Sequence, residues 1–324
     1  MARDSTVVTL GVDLGGTKIE TALVDAAGHI VASRRHPTHL EKGPNGVIAD
    51  VVTCVETCLG EAGMTAQGLG VGMAGQVDRA GTVRFAPNLG WRNVPLQLRL
   101  EKALDMPVVV NNDVRAATWG EWQHGAGQGV DDLVCLFVGT GVGGGIISGG
   151  RLLEGWHHTA GELGHMTIVA GGRHCRCPNR GCLEAYVGGW AIAERAQEAA
   201  RVDPQAGQRL VTLAGSIQQI SAATVTQAYT DGDSLAHHLV EETAQYLAAG
   251  LVSIINAFNP SLLILGGGVI LGLPEYAAIV ERPVRENALP TAVEGLRIVM
   301  AALGDKAGVI GAAALARDKI RQAA

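Results

Sequence analysis

Residues 7–35, VVTLGVDLGGTKIETALVDAAGHIVASRR, decide the fold of this chain. Residues 7–12 are an apolar run that stops at Asp13 and the Gly15–Gly16 pair, the pattern of a buried strand. Stretches 18–24 and 29–35 predict two more strands, and Asp25-Ala-Ala-Gly28 supplies the turn between them. Three consecutive strands joined by short turns make an antiparallel meander. A helix follows over Gly46–Gly63, where Val47, Ile48, Val51, Val52, Val55 and Leu59 repeat at helical spacing. Residues 68–73 and 107–111 then predict strands, and 113–124 a helix.

The order restarts further on. Residues 132–138 (DLVCLFV) and 144–149 predict strands on either side of a glycine-rich turn, Gly139-Thr-Gly-Val-Gly-Gly-Gly145. A helix is expected over 187–201 and a long one over 234–258, with Leu235, Leu239, Thr243, Tyr246, Leu247, Leu251, Ile254, Ile255 and Phe258 on its apolar side. Leu262 to Leu265 predicts a strand that runs into Gly266-Gly267-Gly268. A further helix, a strand at 296–300 and a C-terminal helix from about Gly308 complete the chain. The strand–glycine turn–strand theme thus occurs twice, which implies two related α/β lobes with a cleft between them, where ligands favour the carboxyl ends of strands.

Bulk properties narrow the function. The chain has 324 residues, 47% hydrophobic and 17% charged, as expected of a packed protein of two lobes. Its formal net charge of -6 argues against a nonspecific nucleic-acid binder, which needs a basic footprint. No signal-peptide pattern follows Arg3 and Asp4. The uncharged run from Thr243 to Pro274 contains Asn256 and Asn259-Pro260, so it reads as buried helix plus buried strand, not a membrane span. A cytoplasmic protein is expected. Of six cysteines, Cys54, Cys58 and Cys135 sit singly in apolar surroundings and read as buried thiols. Cys175, Cys177 and Cys182 cluster within eight residues and read as metal ligands in a reducing compartment. His165, His174, His157 and His158 are candidate fourth ligands; one imidazole and three thiolates suit tetrahedral Zn²⁺.

The glycine turns carry the first chemistry. Without Cβ atoms, their backbone N–H groups can surround phosphate oxygens. Thr17 and Thr140 add hydroxyls, and Asp13 adds a carboxylate suited to the hydration shell of Mg²⁺. One such turn alone would read as an ordinary hairpin; two matched turns read as a phosphate-binding pair. No GxxxxGK[ST] or strand-to-helix GxGxxG is present, which excludes a P-loop enzyme and disfavours a Rossmann dehydrogenase. In Pro107-Val-Val-Val-Asn-Asn-Asp113 the polar residues stand where a strand gives way to a helix; Asn112 suits the N-cap, and Asp113 then projects into the cleft.

Asp13-Leu-Gly-Gly-Thr-Lys18, Val138-Gly-Thr-Gly-Val-Gly-Gly-Gly145 and Leu265-Gly-Gly-Gly268 resemble the phosphate-1, phosphate-2 and adenosine motifs of the sugar-kinase/actin/Hsp70 superfamily, and more closely its ROK family. The resemblance runs from about residue 7 to about residue 315. It implies a two-lobed, ribonuclease-H-like (actin-like ATPase) fold whose C-terminal helix returns to the first lobe: residues 1–112 with about 305–324 as the smaller lobe, and 113–304 as the larger lobe with a zinc loop. It implies ATP and Mg²⁺ held by Asp13, Gly15, Gly16, Thr17, Lys18, Gly139, Thr140, Gly141, Gly143, Gly266, Gly267 and Gly268. It places the general base on Asp113 and sugar contacts on Gly75, Asn88, Asn112, Asp113, Glu162, His165 and Glu184. The H-x9-C-x-C-x4-C spacing is similar to the family's zinc motif and selects His165 with Cys175, Cys177 and Cys182. Pro178 departs from the glycine usual after the second clustered cysteine, so the knuckle is expected to turn differently.

The function so implied is ATP-dependent phosphorylation of a hexose at its 6-hydroxyl. Residues 85–95 resemble glucokinase members most, with N-acetylmannosamine, mannose, fructose and allose as alternative sugars and polyphosphate as an alternative donor. A homodimer or homotetramer that binds neither nucleic acid nor membrane is expected. Two other classes compete. ROK repressors carry an N-terminal helix-turn-helix, for which about six residues before the first strand leave no room. A non-catalytic sugar sensor should lack the aspartate or a phosphate loop, and both are present.

Overall fold

A computed structural model describes residues 8–273 and 275–323. Val7, the first residue of the predicted 7–12 strand, the N-terminal residues before it, and Pro274 at the end of the uncharged run lie outside the described residues.

The predicted meander forms as β1 (Thr9–Leu14), β2 (Lys18–Val24) and β3 (Ile30–Pro37). After α1 (Gly43–Ala62) come β4 (Leu69–Met73), the short strands β5 (Gln76–Val77), β6 (Val83–Ala86) and β7 (Trp91–Val94), α2 (Leu96–Leu104), β8 (Val108–Asn112) and α3 (Asp113–His124). The first sheet has the order β3-β2-β1-β4-β8, antiparallel through the meander and parallel from β1 to β4 to β8. The second half begins with β9 (Leu133–Val138), β10 (Val142–Ser148) and β11 (Arg151–Leu152). Helices α4 (Glu184–Val187), α5 (Gly189–Val202), α6 (Gln208–Ala214), α7 (Ala222–Thr230) and α8 (Ser234–Phe258) precede β12 (Leu262–Gly266). Then come α9 (Gly268–Gly272), α10 (Tyr276–Asn287), α11 (Pro290–Val293), β13 (Arg297–Met300) and α12 (Ala307–Ala323). The second sheet runs β11-β10-β9-β12-β13, the same sequence order as the first, with β9, β12 and β13 parallel. No described helix is long and apolar enough to cross a membrane.

The chain falls into two compact units: residues 1–131 with 145–161 and 301–324, and residues 132–144 with 162–300. In the first unit, α12 lies directly on the sheet. Gly11 and Gly70 face each other across β1 and β4. A Cβ on Gly11 would stand 1.9 Å from the Val309 carbonyl oxygen, and one on Gly70 would stand 1.8 Å from that of Ala312. Glycine in a strand often marks such an approach of another backbone. Thr9 Oγ1 adds a buried hydrogen bond to the Ala313 carbonyl at 2.9 Å.

The other face of α12 meets α3 through a second glycine pair. A Cβ on Gly120 would come within 2.7 Å of the Ala307 carbonyl, and one on Gly311 within 1.7 Å of that of Ala116. Glu121, buried on α3, accepts hydrogen bonds from the backbone N–H groups of Ala302 (3.0 Å) and Leu303 (2.8 Å) and so ties the segment before α12 to α3. This packing puts α3 in the first unit, where the boundary at 112/113 expected from the sequence would have put it in the second. β5 to β7, β11, α2, α4, α6 and α7 are not among the elements expected from the sequence. The strands among these are two to four residues long with exposed interior positions in β6 and β7, too short to show a period.

Candidate active site and metal centre

In the first unit, the parallel register sets Asp13 of β1 level with Gly72 of β4 and Asn111 of β8. Gly72 is what lets the turn after β8 come close: a Cβ there would lie 3.4 Å from the Asp113 Cα and 3.3 Å from the Ala116 Cβ. Asn112 is the N-cap of α3; its Oδ1 accepts from Val114 N (3.0 Å) and Arg115 N (3.1 Å). Such a cap contributes ~1 kcal/mol to the helix. Asn112 Nδ2 reaches the Gly75 carbonyl at 3.3 Å, and Asn112 N donates to Asn111 Oδ1 at 2.8 Å. Asp113 is therefore the first residue of a helix whose turn is pinned from both sides. One of its oxygens accepts from Val114 N at 2.9 Å, and the helix N-terminus favours its negative charge.

Burial pushes the Asp13 carboxyl up to about 6, and the nearby Asp113 adds to the rise while Lys18 opposes it. Two carboxylates close enough to feel each other, one of them reluctant to ionise, make a donor set that a hard cation would relieve. The residues present therefore fit Mg²⁺. Behind Asp13, burial disfavours ionising Glu20, but hydrogen bonds from Lys306, Arg35 and Lys18 outweigh it and hold that carboxyl below its usual range. Lys18 Nζ is 3.3 Å from Glu20, so in this structure it pairs with that side chain. Thr17 is exposed, and the Gly16 backbone lies beside Asn88, whose carbonyl and Cβ would be 3.3 and 3.7 Å from a Cβ at that position.

In the second unit, the turn after β9 is closed by a hydrogen bond from Gly139 N to the Gly141 carbonyl at 2.9 Å. The start of α5 docks on it: Gly189 N donates to the Gly139 carbonyl at 2.9 Å, and Trp190 N to that of Thr140 at 3.2 Å. Glu184 binds the same turn, accepting from Val142 N at 2.8 Å on one oxygen and from Trp190 Nε1 at 3.3 Å on the other. Gly267, at φ 88, sits where a Cβ would lie 2.4 Å from the Val138 carbonyl, so the triglycine at the end of β12 abuts the end of β9. Glu162 is exposed and opens the single turn Leu163–His165, which packs on Val142: a Cβ on Gly164 would be 2.1 Å from its carbonyl.

His165, Cys175, Cys177 and Cys182 each present one donor atom, and the four atoms lie within 4.8 Å of one another. His165 Nδ1 is 3.6 Å from Cys175 Sγ, and Cys177 Sγ is 3.6 Å from Cys182 Sγ. Burial pushes the Cys175 thiol up to about 12; bonds with Cys177 and Cys182 add to this, against the Cys177 backbone N–H. Burial raises Cys182 too, with Cys177 adding. Cys175 and Cys182, so raised, ionise readily only around a cation. Asn179 supplies the outer layer: its backbone N–H lies 3.4 Å from Cys177 Sγ, and its Nδ2 lies 3.4 Å from Cys182 Sγ and 2.8 Å from Thr167 Oγ1. The knuckle turns through Pro178 with Asn179 closing it, Cys175 N donating to the Asn179 carbonyl at 3.1 Å.

The structure thus brings together Asp13, Gly16, Gly75, Asn88, Asn112 and Asp113 in one unit. In the other it gathers Gly139, Thr140, Gly141, Glu184 and Gly267, and the four soft donors. Glu184 is turned onto the glycine turn, a role sequence reading did not anticipate. Gly72, Asn111 and Lys306 were also missed. Gly72 and Asn111 left a trace, in Gly70-x-Gly72 and in the first residue of Asn111-Asn112-Asp113; Lys306 left none.

The ROK family pattern matches residues 9–319. A glucokinase of Streptomyces coelicolor is 36% identical over 318 residues, which is 96% of this chain and 98% of that protein. An N-acetylmannosamine kinase of Escherichia fergusonii is 31% identical, over 97% of this chain and 99% of its own. Among solved structures, a ROK family glucokinase from Streptomyces griseus, in complex with glucose and AMPPNP, superposes with a TM-score of 0.79 at 37% identity, covering 96% of this chain and 99% of that one.

Proposed function

The chain belongs to the ROK family, and from that premise we propose that it is an ATP-dependent sugar kinase that phosphorylates a hexose, glucose first, at the 6-hydroxyl. The observation that carries this reading is the Asp113 carboxylate on a pinned strand-to-helix turn, with the cation-seeking Asp13 near enough to be perturbed by it. Phosphoryl transfer asks a protein mainly for alignment and charge stabilisation, plus one group to orient the attacking hydroxyl. Asp113 accepts the hydroxyl proton as the sugar oxygen bonds to the γ-phosphorus; the bond from that phosphorus to the β–γ bridging oxygen breaks, and ADP leaves. Asp13 would hold the hydration shell of the Mg²⁺ carried with ATP, an ion that would supply positive charge to the phosphoryl oxygens.

Gly15, Gly16, Thr17, Gly139, Thr140, Gly141 and Gly143 offer backbone and hydroxyl donors to the phosphates, and Gly266 to Gly268 the surface for adenosine. Lys18 must leave Glu20 to join them. Gly75, Asn88, Asn112, Glu162, His165 and Glu184 are the sugar contacts in this proposal. Zn²⁺ on His165, Cys175, Cys177 and Cys182 is structural, since four protein ligands leave no open position. His165 Nδ1 faces the sulfurs, leaving Nε2 for the sugar. A cytoplasmic homodimer or homotetramer goes with the same reading.

The test is ADP release with ATP, Mg²⁺ and a panel of glucose, mannose, fructose, allose and N-acetylmannosamine. Glucose is expected to give the highest kcat/KM. Asp113→Asn should keep the fold and lose turnover by about 10² or more. Near-normal turnover in that variant excludes the assignment.

A further inference from the structure

We propose that His36, His39 and Asp50 form a second metal site, for a divalent transition-metal ion, and that it is coupled through Thr38 to the Gly15–Thr17 loop. His36 stands near the end of β3, His39 two residues beyond that strand, and Asp50 on α1. Each offers one donor atom, and the three donors lie within 4.8 Å of one another. Asp50 falls in the buried stripe of α1 with Val47, Val51 and Cys54. A carboxylate there costs free energy unless it is partnered. Its partners are the two residues that could form a metal site with it or compete for it: His39, whose Nδ1 is 2.9 Å and backbone N 3.4 Å away, and Lys42, whose Nζ is 3.3 Å away.

The tautomer of His36 favours ligation. His36 Nδ1 lies 2.7 Å from the Pro37 carbonyl, which only accepts, so that nitrogen carries the proton and Nε2 presents a bare lone pair. The two rings meet edge to face with centroids 5.5 Å apart. Two imidazoles and one carboxylate suit Zn²⁺, Ni²⁺ or Cu²⁺ and not the all-oxygen preference of Mg²⁺ or Ca²⁺. Lys42 is the one cation bonded to Asp50 among the described residues; its side chain is about half exposed, so it can be released to water.

The site has a mechanical neighbour. Between the two histidines, Thr38 N donates to the Thr17 carbonyl at 3.0 Å, and Thr38 Oγ1 donates to the Gly15 carbonyl at 2.9 Å. An ion that fixes His36 and His39 therefore fixes the residue that hangs from the loop. The coupling rests on that loop holding nucleotide phosphates; the metal site itself does not.

Zinc-loaded full-length protein titrated with NiCl₂ tests both parts, by calorimetry and by metal analysis of the desalted protein. Wild type is expected to take up one nickel per chain beyond zinc. His36→Ala and His39→Gln should each weaken binding about tenfold or more, and Lys42→Ala should tighten it. Glutamine at 39 keeps a donor for Asp50, and melting curves report on its fold. Wild type that binds no nickel, or variants that bind as wild type does, overturn the site. Saturating nickel should shift the KM for ATP and leave that for the sugar alone, and His36→Ala should erase the shift. Unchanged ATP kinetics overturn the coupling. A protein that phosphorylates no sugar sinks the kinase reading without touching the calorimetry.

Discussion

Replacing Asp13 by asparagine should make the nucleotide-free protein more stable at pH 8 while removing most of its phosphoryl transfer. Folding raises this carboxyl from its ordinary 3.8 to about 6. At 1.36 kcal/mol per pH unit, that corresponds to about 3 kcal/mol against ionised Asp13. Asp13 is not wholly shielded from water, so screening trims the figure to between about 1 and 3 kcal/mol. The folded protein holds the proton more tightly than the unfolded chain does. The wild type is therefore least burdened below pH 3.8, loses stability as the pH rises towards 6, and carries the full cost above it. Asparagine is neutral throughout, so the variant's advantage should be largest at pH 8 and shrink to a fraction of that near pH 4.5. For units of this size, it amounts to roughly 2–10 °C in Tm. Thermal melts at the two pH values, with and without Mg-ATP, read the effect. Mg-ATP should stabilise wild type and not the variant, whose kcat/KM should fall about 10²-fold or more. An advantage that is absent at pH 8, or equal at both pH values, refutes the account of Asp13 as a buried carboxylate awaiting a cation.

Chelating the proposed zinc should raise hydrogen exchange over residues 165–182 and weaken sugar binding, because His165 joins the two; unchanged sugar affinity in zinc-free protein would refute that link. Gly70→Ala drives a Cβ to 1.8 Å from the Ala312 carbonyl, a backbone atom that cannot swing aside, and should cost about 3 kcal/mol or more in a denaturation midpoint. Gly60→Ala, on the open side of α1 with nothing within 4 Å of the new Cβ, is the matched control and should gain about 0.5–1 kcal/mol.

Much of this chain is written locally. The alternation of apolar runs with Asp13-Leu-Gly-Gly-Thr17 and Gly139-Thr-Gly141 determined the strands and their turns, because a buried strand needs a few apolar residues in a row and a tight turn needs glycine within reach. Asn111-Asn112-Asp113 announced a capped helix, and Asn112 caps it. Cys175, Cys177 and Cys182, eight residues end to end, could hardly avoid one another once the loop closed.

What only the tertiary structure decided is which distant pieces meet. The chain order of Gly11 and Gly70 gives no sign that α12, some 240–300 residues away, lays its carbonyls on them. Glu184 reads as a sugar contact, and nothing in the sequence shows that Val142 N, 42 residues earlier, bonds to it. The sequence reading puts α3 in the second half, and its packing through Gly120 and Gly311 puts it in the first unit. Periodicity and turn chemistry act over a few residues, so they are visible in order along the chain. Close approach of two backbones and the pairing of buried charges depend on three-dimensional distance, which no spacing along the chain encodes.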